Sequence, residues 1–417
     1  MTFDFPLFWR VSVRSLFRTA NTHGALTRKR IIFLLLFYTF WPPMVVCTWA
    51  CFLLDNLLFP AYRKQPVEKP LFILGNFRSG STFLHRLLAR DVSTFTTLRL
   101  WDIFLTPSIT QRRLFHLFGR IDACLGGPAR KLVRAFDAQY FSKVKIHRIG
   151  LFEPEEDEML LMYAWSTFFI GFLFPFLEEI PPYQFFDSAV PKAARHRIMG
   201  FYRACVQRHL YATGRKHFVA KNPLFSAKIE TLRELFPDAR IVYLARNPLD
   251  VLPSTTSWLS YAWHVSSDPL EKYPYRNKVL ELTRYWYDHP LGVMDRNPSP
   301  LHLILNFEDL VRCPDAVIRS LYVRFDYPQT SDLDRILQDA LVQTRAHRSD
   351  HVYDYEEMGF SREQIIKAFA GIFARFGFDR KANVRVHDGP LDNGSAPDPA
   401  ERTLGASLAN SGENDQL

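Results

Sequence analysis

Cysteine is scarce in this chain and is spread thinly along it. The 417 residues contain five cysteines, and no two of them form a Cys-x-x-Cys pair. Two, Cys47 and Cys51, lie inside an apolar run. Zinc sites and the disulfide frameworks of small secreted domains need clustered or regularly spaced cysteines, so the sequence predicts neither. We expect reduced thiols in a cytosolic setting.

The chain also lacks the low hydrophobicity of a disordered protein. Hydrophobic residues make up 47% and charged residues 23%, which is enough for one large domain with a core. The formal net charge of +9 indicates an anionic partner. Charge alone does not distinguish nucleic acid, an acidic lipid surface and a phosphorylated small molecule. No recognised nucleic-acid-binding motif is present, so we do not expect nucleic acid as the partner.

Residues 31–54 form one long run without a charged side chain. The run is long enough to cross a bilayer, and no small-residue cleavage site follows it, so we do not expect a removed signal peptide. Because Pro42 and Pro43 divide it into two short halves, a re-entrant hairpin and a buried pair of core helices stay open beside a single span. Upstream, aromatic and arginine side chains interleave, as in segments that lie in a lipid interface. We predict that residues 1–60 associate with a membrane.

From Lys69 onward, short apolar runs end in turns and are followed by helical periodicity. This pattern predicts an α/β fold in which strand-loop-helix units surround a parallel sheet. The predicted strands are residues 71–74, 217–220, 240–245 and 301–305, and the predicted helices include 83–90 and 249–259. We assign residues 61–387 to this domain and the polar residues 388–417 to a disordered tail.

The most informative segment is residues 75–82, GNFRSGST, directly after a predicted buried strand and before a helix. Glycine permits a sharp turn there, and the N–H groups and dipole of the helix start favour an anion. The hydroxyls of Ser79, Ser81 and Thr82 add donors, and Arg78 adds a charged fork. The two glycines are spaced as in a Walker A loop, but Ser81 stands where that loop has its lysine, which disfavours a nucleoside triphosphatase.

A second segment carries another anion-binding pattern. Arg246 ends the predicted strand 240–245, and Ser254 follows eight residues later in the next predicted helix. The two side chains can grip one phosphate at the edge of the sheet where α/β proteins bind ligands.

The segments PLFILGNFRSGSTFLHRLLARD and FPDARIVYLARNPLDVLPS resemble the sulfotransferase family, in its bacterial-type branch related to the tyrosylprotein sulfotransferases. The segments HFVAKNPLFSAKIETLRELFPDAR and EPEEDEMLL extend the resemblance. It implies a P-loop-like parallel sheet and 3′-phosphoadenosine 5′-phosphosulfate (PAPS) as the sulfuryl donor. It further implies that the 5′-phosphosulfate is bound by Arg78, Ser79, Gly80, Ser81, Thr82 and Phe83, and the 3′-phosphate by Arg246 and Ser254.

Sulfuryl transfer needs positive charge at the leaving oxygen and a base that takes the proton of the acceptor hydroxyl. Sulfate esters carry less charge than phosphates, so we expect no metal. The acidic cluster 153–158 is the best source of a base, because crowded carboxylates raise one another's pKa. The candidates are Arg78 and Lys221 for the charge, Glu156 for the base with His147 and His264 as alternatives, and Arg345, His347 and Arg348 as further cations near the 3′-phosphate.

We therefore predict an enzyme, a membrane-associated and PAPS-dependent sulfotransferase that acts on a hydroxyl group. The aromatic-rich residues 163–186 favour a lipid or other amphiphilic acceptor. The cytosolic donor and the scattered cysteines favour the cytoplasmic face of a bacterial inner membrane, or a Golgi membrane in a eukaryote. A nucleotide kinase of similar layout and a non-catalytic, membrane-bound nucleotide-binding protein stay open as alternatives.

Overall fold

The fold is taken from a computed structural model of the chain. The structure describes residues 2–141, 150–214, 217–330, 332–338 and 355–378. Several predicted features lie outside the described residues, namely the alternative base His147, the basic residues Arg345, His347 and Arg348, and the tail 388–417.

Five short parallel strands form one sheet in the order β2-β3-β1-β4-β5. The strands are Leu71–Gly75 (β1), Phe95–Thr96 (β2), His217–Lys221 (β3), Arg240–Ala245 (β4) and His302–Asn306 (β5). Every residue of β1 and β4 is buried, as in strands that are covered on both faces. The predicted α/β class and its parallel sheet are confirmed. β2 was missed because two residues are too few to give an apolar pattern.

Helices connect these strands. The α-helices are Phe5–Phe17 (α1), Arg28–Leu58 (α2), Ser81–Ala89 (α3), Leu100–Phe104 (α4), Ile109–Cys124 (α5), Pro128–Phe136 (α6), Ile170–Leu173 (α7), Pro181–Gln184 (α8), Phe186–Ala189 (α9), Lys192–Thr213 (α10), Ile229–Leu235 (α11), Pro248–Ser266 (α12), Arg276–Arg296 (α13), Phe307–Arg312 (α14), Pro314–Phe325 (α15), Arg362–Ala368 (α16) and Ala370–Phe376 (α17). Short 3₁₀ helices are Pro60–Lys64, Asp157–Ala164, Leu177–Glu179 and Pro223–Lys228.

The strand order creates a crevice at the carboxyl edge of the sheet. β1 lies between β3 and β4, and it leads along the chain to β2 on one side, whereas β4 leads to β5 on the other. The connections that leave β1 and β4 therefore diverge, which is where α/β sheets bind ligands. The residues that follow these two strands are the two predicted anion-binding segments.

Residues 31–54 do not form a hairpin or a pair of core helices. They belong to α2, one continuous helix of 31 residues with Pro42 and Pro43 inside it. Both alternatives to a single helix are therefore wrong. Each proline removes one backbone hydrogen bond, but Trp41 and Val45 are buried against the protein on either side of the pair and hold the helix together.

Buried charges fix both ends of α2 to the rest of the protein. The fully buried Arg30 donates to two backbone carbonyls of the domain at 2.9 and 3.4 Å. At the other end, the fully buried Asp55 pairs with Arg208 at 3.0 Å. Asp55 also accepts from the first two backbone N–H groups of α5 at 2.9 and 2.8 Å. α2 and α5 thus share one buried carboxylate.

The aromatic-rich residues 163–186 form the surface on which α2 rests. Trp41 stacks on Tyr163 with ring centroids 5.4 Å apart, and Phe37 meets Phe174 edge-on at 5.0 Å. Tyr163 and Phe174 are fully buried. The aromatic side chains of this stretch pack within the core and against α2, so the stretch itself carries no information on the acceptor.

Replacing Asp55 tests the attachment of α2. Asp55→Ala leaves the Arg208 guanidinium buried without its carboxylate, so we expect the free energy of unfolding to fall by about 3–5 kcal/mol. Urea unfolding followed by circular dichroism measures this. Asp268→Ala breaks an exposed pair with Lys29 near the other end of α2 and serves as the control, with little expected change. Equal, small losses in both variants would contradict the anchoring role of Asp55.

Candidate functional site

The loop after β1 is packed too closely to admit side chains at its glycines. Gly80 has φ +86°, and a Cβ there would lie 2.4 Å from the ring of Phe307. At Gly75, φ is +144° and a Cβ would lie 2.6 Å from the backbone oxygen of Leu244 in β4. Both positions therefore require glycine, which explains why the sequence pattern has it there.

α3 begins immediately after this loop. Its first intrahelical contact is the N–H of Phe83, which donates to the Gly80 carbonyl at 3.0 Å. The N–H groups of Ser81 and Thr82 precede that bond and belong to the orphan donors of a helix start. The backbone of Phe83 is thus engaged within the loop, whereas Ser81 and Thr82 offer donors to an anion.

Arg78 joins the two predicted anion-binding segments. Its Nε donates to Ser254 Oγ at 2.9 Å, and its carbonyl accepts from the Arg246 guanidinium at 2.8 Å. Arg78 itself has φ +66°, which is uncommon for a residue with a side chain. The structure therefore brings together Arg78, Arg246 and Ser254, which were predicted from segments far apart in sequence.

Residues that the sequence did not single out orient Arg246. Its guanidinium lies 4.3 Å from the centre of the Phe307 ring and 3.4 Å from Asp250, and its carbonyl accepts from Tyr287 at 2.6 Å. Phe307 and Tyr287 could not be found by motif, because they come from the end of the sheet and from α13. Together these contacts direct the arginine across the crevice.

Ser79 is buried in the same loop, and its Oγ has no hydrogen-bond partner among the described residues. Buried hydroxyls are nearly always paired in folded proteins. An anion seated in the loop would supply the missing acceptor. This buried donor, the two loop glycines and the start of α3 have the composition expected of a phosphate or sulfate site.

Lys221 and Glu156 form a buried ion pair, with Nζ and Oε1 2.6 Å apart. Lys221 ends β3 and pairs in register with Ile73 of β1, so it lies at the same edge of the sheet as the loop. The two side chains are 1% and 11% exposed. The structure thus joins the predicted charge-stabilising residue and the predicted base, although they are 65 positions apart.

The two acids that follow Glu156 are committed to partners in the interior. Asp157 accepts from Tyr202 at 2.6 Å, and burial raises the pKa of this carboxyl to about 7. Glu158 pairs with Lys228 at 2.8 Å, both fully buried, and burial raises its pKa as well. Of these three acids, Glu156 is the one that meets the sheet edge through Lys221.

The alternative base His264 lies at the far end of α12 from Ser254. It lies in the last turn of α12, ten residues beyond Ser254, which corresponds to about 15 Å along a helix. Its carbonyl accepts from Lys29 at the start of α2 at 3.1 Å. His264 therefore belongs to the contact with α2 and not to the crevice.

Sequence reasoning missed a buried histidine beside the site. His85 lies on α3, one turn after Ser81, and is fully buried. Its Nε2 lies 2.8 Å from Thr97 Oγ1. Burial, together with the charges of Lys221 and Arg86, lowers its pKa to about 3. The sequence could have indicated it, because His85 lies one helical turn after Ser81 and therefore on the same face of α3.

A cleft of about 1380 Å³ borders α3. Residues of α3, α5, α6 and the end of α10 line it, from Thr82 beside the loop to Thr213. Its walls include the aromatic side chains of Phe115 and Trp101, whose rings meet edge-on at 5.1 Å. The cleft is large enough for part of a sizeable organic molecule.

Comparisons with known proteins agree with this geometry. Residues 70–332 match the family model described as the sulfotransferase family. The chain is 25% identical over 334 residues to the omega-hydroxy-beta-dihydromenaquinone-9 sulfotransferases of Mycobacterium bovis and Mycobacterium tuberculosis, covering 75% of this chain and 76% of each relative.

Two solved structures share the fold. Sulfotransferase STF9 from Mycobacterium avium matches with a TM-score of 0.60 and 21% identity, over 77% of this chain and 80% of that one. Sulfotransferase STF1 from Mycobacterium tuberculosis matches with a TM-score of 0.57 and 17% identity, over 76% and 80%.

Buried neutral histidines should make the fold sensitive to acid. The pKa of His85 is lowered to about 3, and burial lowers that of His209 well below its usual value. In the unfolded chain both titrate near about 6.5. Below that pH these histidines take up protons in the unfolded state but not in the native state, so each lowers the free energy of unfolding by up to about 1.4 kcal/mol per pH unit. Asp157, whose native pKa is raised to about 7, acts in the opposite direction over the same range.

Urea unfolding at a series of pH values between about 7 and 4 measures this slope. Relative to the parent chain, His85→Gln should lose less stability for each pH unit of acidification, whereas His116→Gln, at an exposed position of α5, should match the parent chain. A slope in His85→Gln equal to that of the parent chain would show that His85 takes up its proton in the folded state.

Proposed function

Because this chain belongs to the sulfotransferase family, we propose that it transfers a sulfuryl group from PAPS to the hydroxyl group of a lipid-like acceptor. The observation that carries the proposal is the meeting of four predicted residues at one edge of the sheet. Arg78 contacts Arg246 and Ser254 at the ends of β1 and β4, and Lys221 presents a buried cation at the end of β3.

The residues at this edge fit the two anionic ends of PAPS. The 5′-phosphosulfate suits the cradle formed by Gly75 and Gly80, the start of α3, and the Ser79 hydroxyl, which has no partner within the described part of the chain. Arg246 and Ser254 suit the 3′-phosphate, because a guanidinium and a hydroxyl can grip one phosphate from two sides. The donors that follow β1 and those that follow β4 adjoin through Arg78, which supports a ligand with two anionic groups on one nucleotide.

When bound, PAPS supplies the sulfuryl group, whose sulfur bonds to the acceptor oxygen as its bond to the bridging phosphate oxygen breaks. Glu156 takes the proton that the hydroxyl loses. Lys221 has three N–H donors and gives one to Glu156, so further donors can face the charge that grows on the bridging oxygen. Arg78 adds positive charge at the loop. The leaving group is adenosine 3′,5′-bisphosphate.

A lipid-like acceptor is supported by the relative and by the surface of the chain. The mycobacterial relatives are named for a hydroxylated menaquinone. In the described part of the chain, α2 is long and apolar enough to cross a membrane. We propose that residues 1–60 associate with the membrane, that residues 61–387 carry the chemistry, and that the protein lies on the cytoplasmic face of a bacterial inner membrane.

Membership of the family sets aside the nucleotide kinase alternative. A family member that binds the nucleotide without turnover is the remaining alternative. It is decided by whether the parent chain sulfates an acceptor such as an ω-hydroxylated menaquinone. Tight binding of adenosine 3′,5′-bisphosphate without any sulfated product would favour the non-catalytic protein.

Arg246→Ala tests the donor site through binding alone. The change removes a charge-assisted contact to the 3′-phosphate, so calorimetry should show affinity for adenosine 3′,5′-bisphosphate weakened by about 1.5–3 kcal/mol. Arg284→Ala, which breaks an exposed pair on α13, is the matched control and should bind like the parent chain. Unchanged affinity in Arg246→Ala would remove this residue from the site.

Glu156→Gln tests the base. The amide keeps the size of the side chain but cannot accept the proton, so turnover should fall about a hundredfold or more while affinity for adenosine 3′,5′-bisphosphate persists. A more acidic acceptor hydroxyl should lessen this defect. Glu281→Gln, on the exposed part of α13, is the control. Near-normal turnover in Glu156→Gln would assign the base to another group.

Lys221→Ala should also lower turnover, but for a different reason. It removes charge stabilisation at the leaving oxygen, so its defect should shrink with a donor that carries a better leaving group. If a more acidic acceptor and a donor with a better leaving group reduced the turnover defects of Glu156→Gln and Lys221→Ala equally, the division of roles between the two residues would be contradicted.

A further inference from the structure

α2 is apolar on two faces. One face is buried against the domain and includes Leu34, Phe37, Trp41, Val45 and Phe52. The other is exposed and equally apolar, with Leu35, Phe40, Val46, Leu53 and Leu57 between 64% and 75% exposed. The outer face of a surface helix in a soluble domain normally carries polar side chains. This exposed face therefore calls for an apolar environment outside the protein.

The contact between α2 and the domain runs along the helix. It extends from the buried Arg30 to the buried Asp55, which is about 38 Å of helix. The hydrocarbon core of a bilayer is only about 30 Å thick. A helix that crossed the bilayer while keeping this contact would draw the adjoining part of the domain into the hydrocarbon. That part includes α1, whose Arg10 is 55% exposed and pairs with Glu179.

We propose that the protein is monotopic, with α2 lying in the plane of one leaflet and only its outer face in lipid. This arrangement keeps Arg30 and Asp55 on their partners in the domain. It also places both ends of the helix on the same side of the membrane. Length and composition allow α2 to span a membrane, but the covering of one of its faces by the domain favours a position in the plane of the leaflet.

α1 presents a second apolar surface next to α2. Phe5, Trp9 and Phe17 are 59%, 71% and 78% exposed, while Leu7 and Val11 are buried. Phe8 of α1 meets Tyr38 of α2 edge-on at 6.5 Å, so the two helices adjoin. Exposed tryptophan beside arginine is typical of a helix at the level of lipid head groups.

α5 adds a third exposed apolar surface, and the charges around it indicate that the surface contacts lipid. It starts on Asp55 of α2, and Arg113 lies 4.1 Å from the ring of Phe59 at the end of α2. Apolar side chains repeat along it with helical spacing, at the exposed positions Leu114, Leu117, Phe118, Ile121 and Leu125. Exposed basic residues flank them on α5 and α6, at Arg113, Arg120, Arg130, Lys131 and Arg134. Apolar side chains bordered by cations match a leaflet with anionic head groups.

The lipid-facing surface adjoins the cleft. Phe115 of α5 is 37% exposed and also lines the cleft beside α3. An acceptor dissolved in the leaflet could therefore approach the crevice from the side, without leaving the membrane. This consequence rests on the proposed function, whereas the monotopic attachment does not.

Labelling of the two helix ends tests the topology. In the full-length chain with the exposed Cys47, Cys124 and Cys313 replaced by serine, Leu26→Cys and Lys64→Cys each place one reactive thiol beside an end of α2. A membrane-impermeant maleimide should label both positions in vesicles of one and the same orientation, namely inverted vesicles if the protein lies on the cytoplasmic face as proposed. Labelling of both positions only in right-side-out vesicles would keep the monotopic attachment and reverse the face. Labelling of the two positions in vesicles of opposite orientation would establish a spanning helix and overturn the proposal.

Flotation of the purified full-length protein with lipid vesicles tests whether lipid covers the exposed apolar surface. Binding should be stronger to vesicles of phosphatidylcholine with phosphatidylglycerol than to phosphatidylcholine alone. Leu117→Glu should lower the partition coefficient about tenfold, because it puts a charge where a buried leucine would be. Val323→Glu, at an exposed position of α15, is the matched control.

Binding of Leu117→Glu equal to that of the parent chain would exclude α5 from the lipid surface. Absence of flotation in the parent chain, together with a dimer that Leu117→Glu dissociates, would instead assign the face to a second copy of this chain. Neither readout uses turnover, so failure of the attachment and failure of the proposed chemistry are distinguishable.

Discussion

The close approach of the loop after β1 to its neighbours sets the geometry of the whole site. Because Gly80 has no side chain, the loop packs directly against the ring of Phe307 at the start of α14. That position puts the Arg78 carbonyl within 2.8 Å of Arg246 and the Arg78 side chain within 2.9 Å of Ser254. The two predicted anion-binding segments thus form one surface through backbone packing alone.

The second requirement is the burial of charge in pairs. Removing a carboxylate or ammonium from water is costly unless a partner of opposite charge meets it with good geometry. Here β3 and the residues after it provide Lys221 for Glu156 and Lys228 for Glu158. Each pair fixes the acidic segment against the sheet, and the pair nearer the edge is also the one that the proposed chemistry uses. The same contacts therefore serve folding and position the reacting groups.

The sequence predicted what local patterns encode and missed what depends on packing. The apolar runs of β1 and β4 and the loop between glycines carry their own signals, so their place in the fold could be foreseen. The path of α2 could not, because Pro42 and Pro43 weaken a helix locally, whereas Trp41 and Val45 hold it through contacts with distant residues. The choice among neighbouring acids likewise depends on which carboxylate finds an internal partner.

The carboxylate shared by α2 and α5 has a further consequence. Asp55 belongs to the proposed membrane helix, yet it holds the first turn of α5, whose side chains form a wall of the cleft. Displacement of α2 from the domain would also withdraw the anion that stabilises the start of that wall. The packing of α2 on the domain and the shape of the cleft wall are therefore coupled through one side chain.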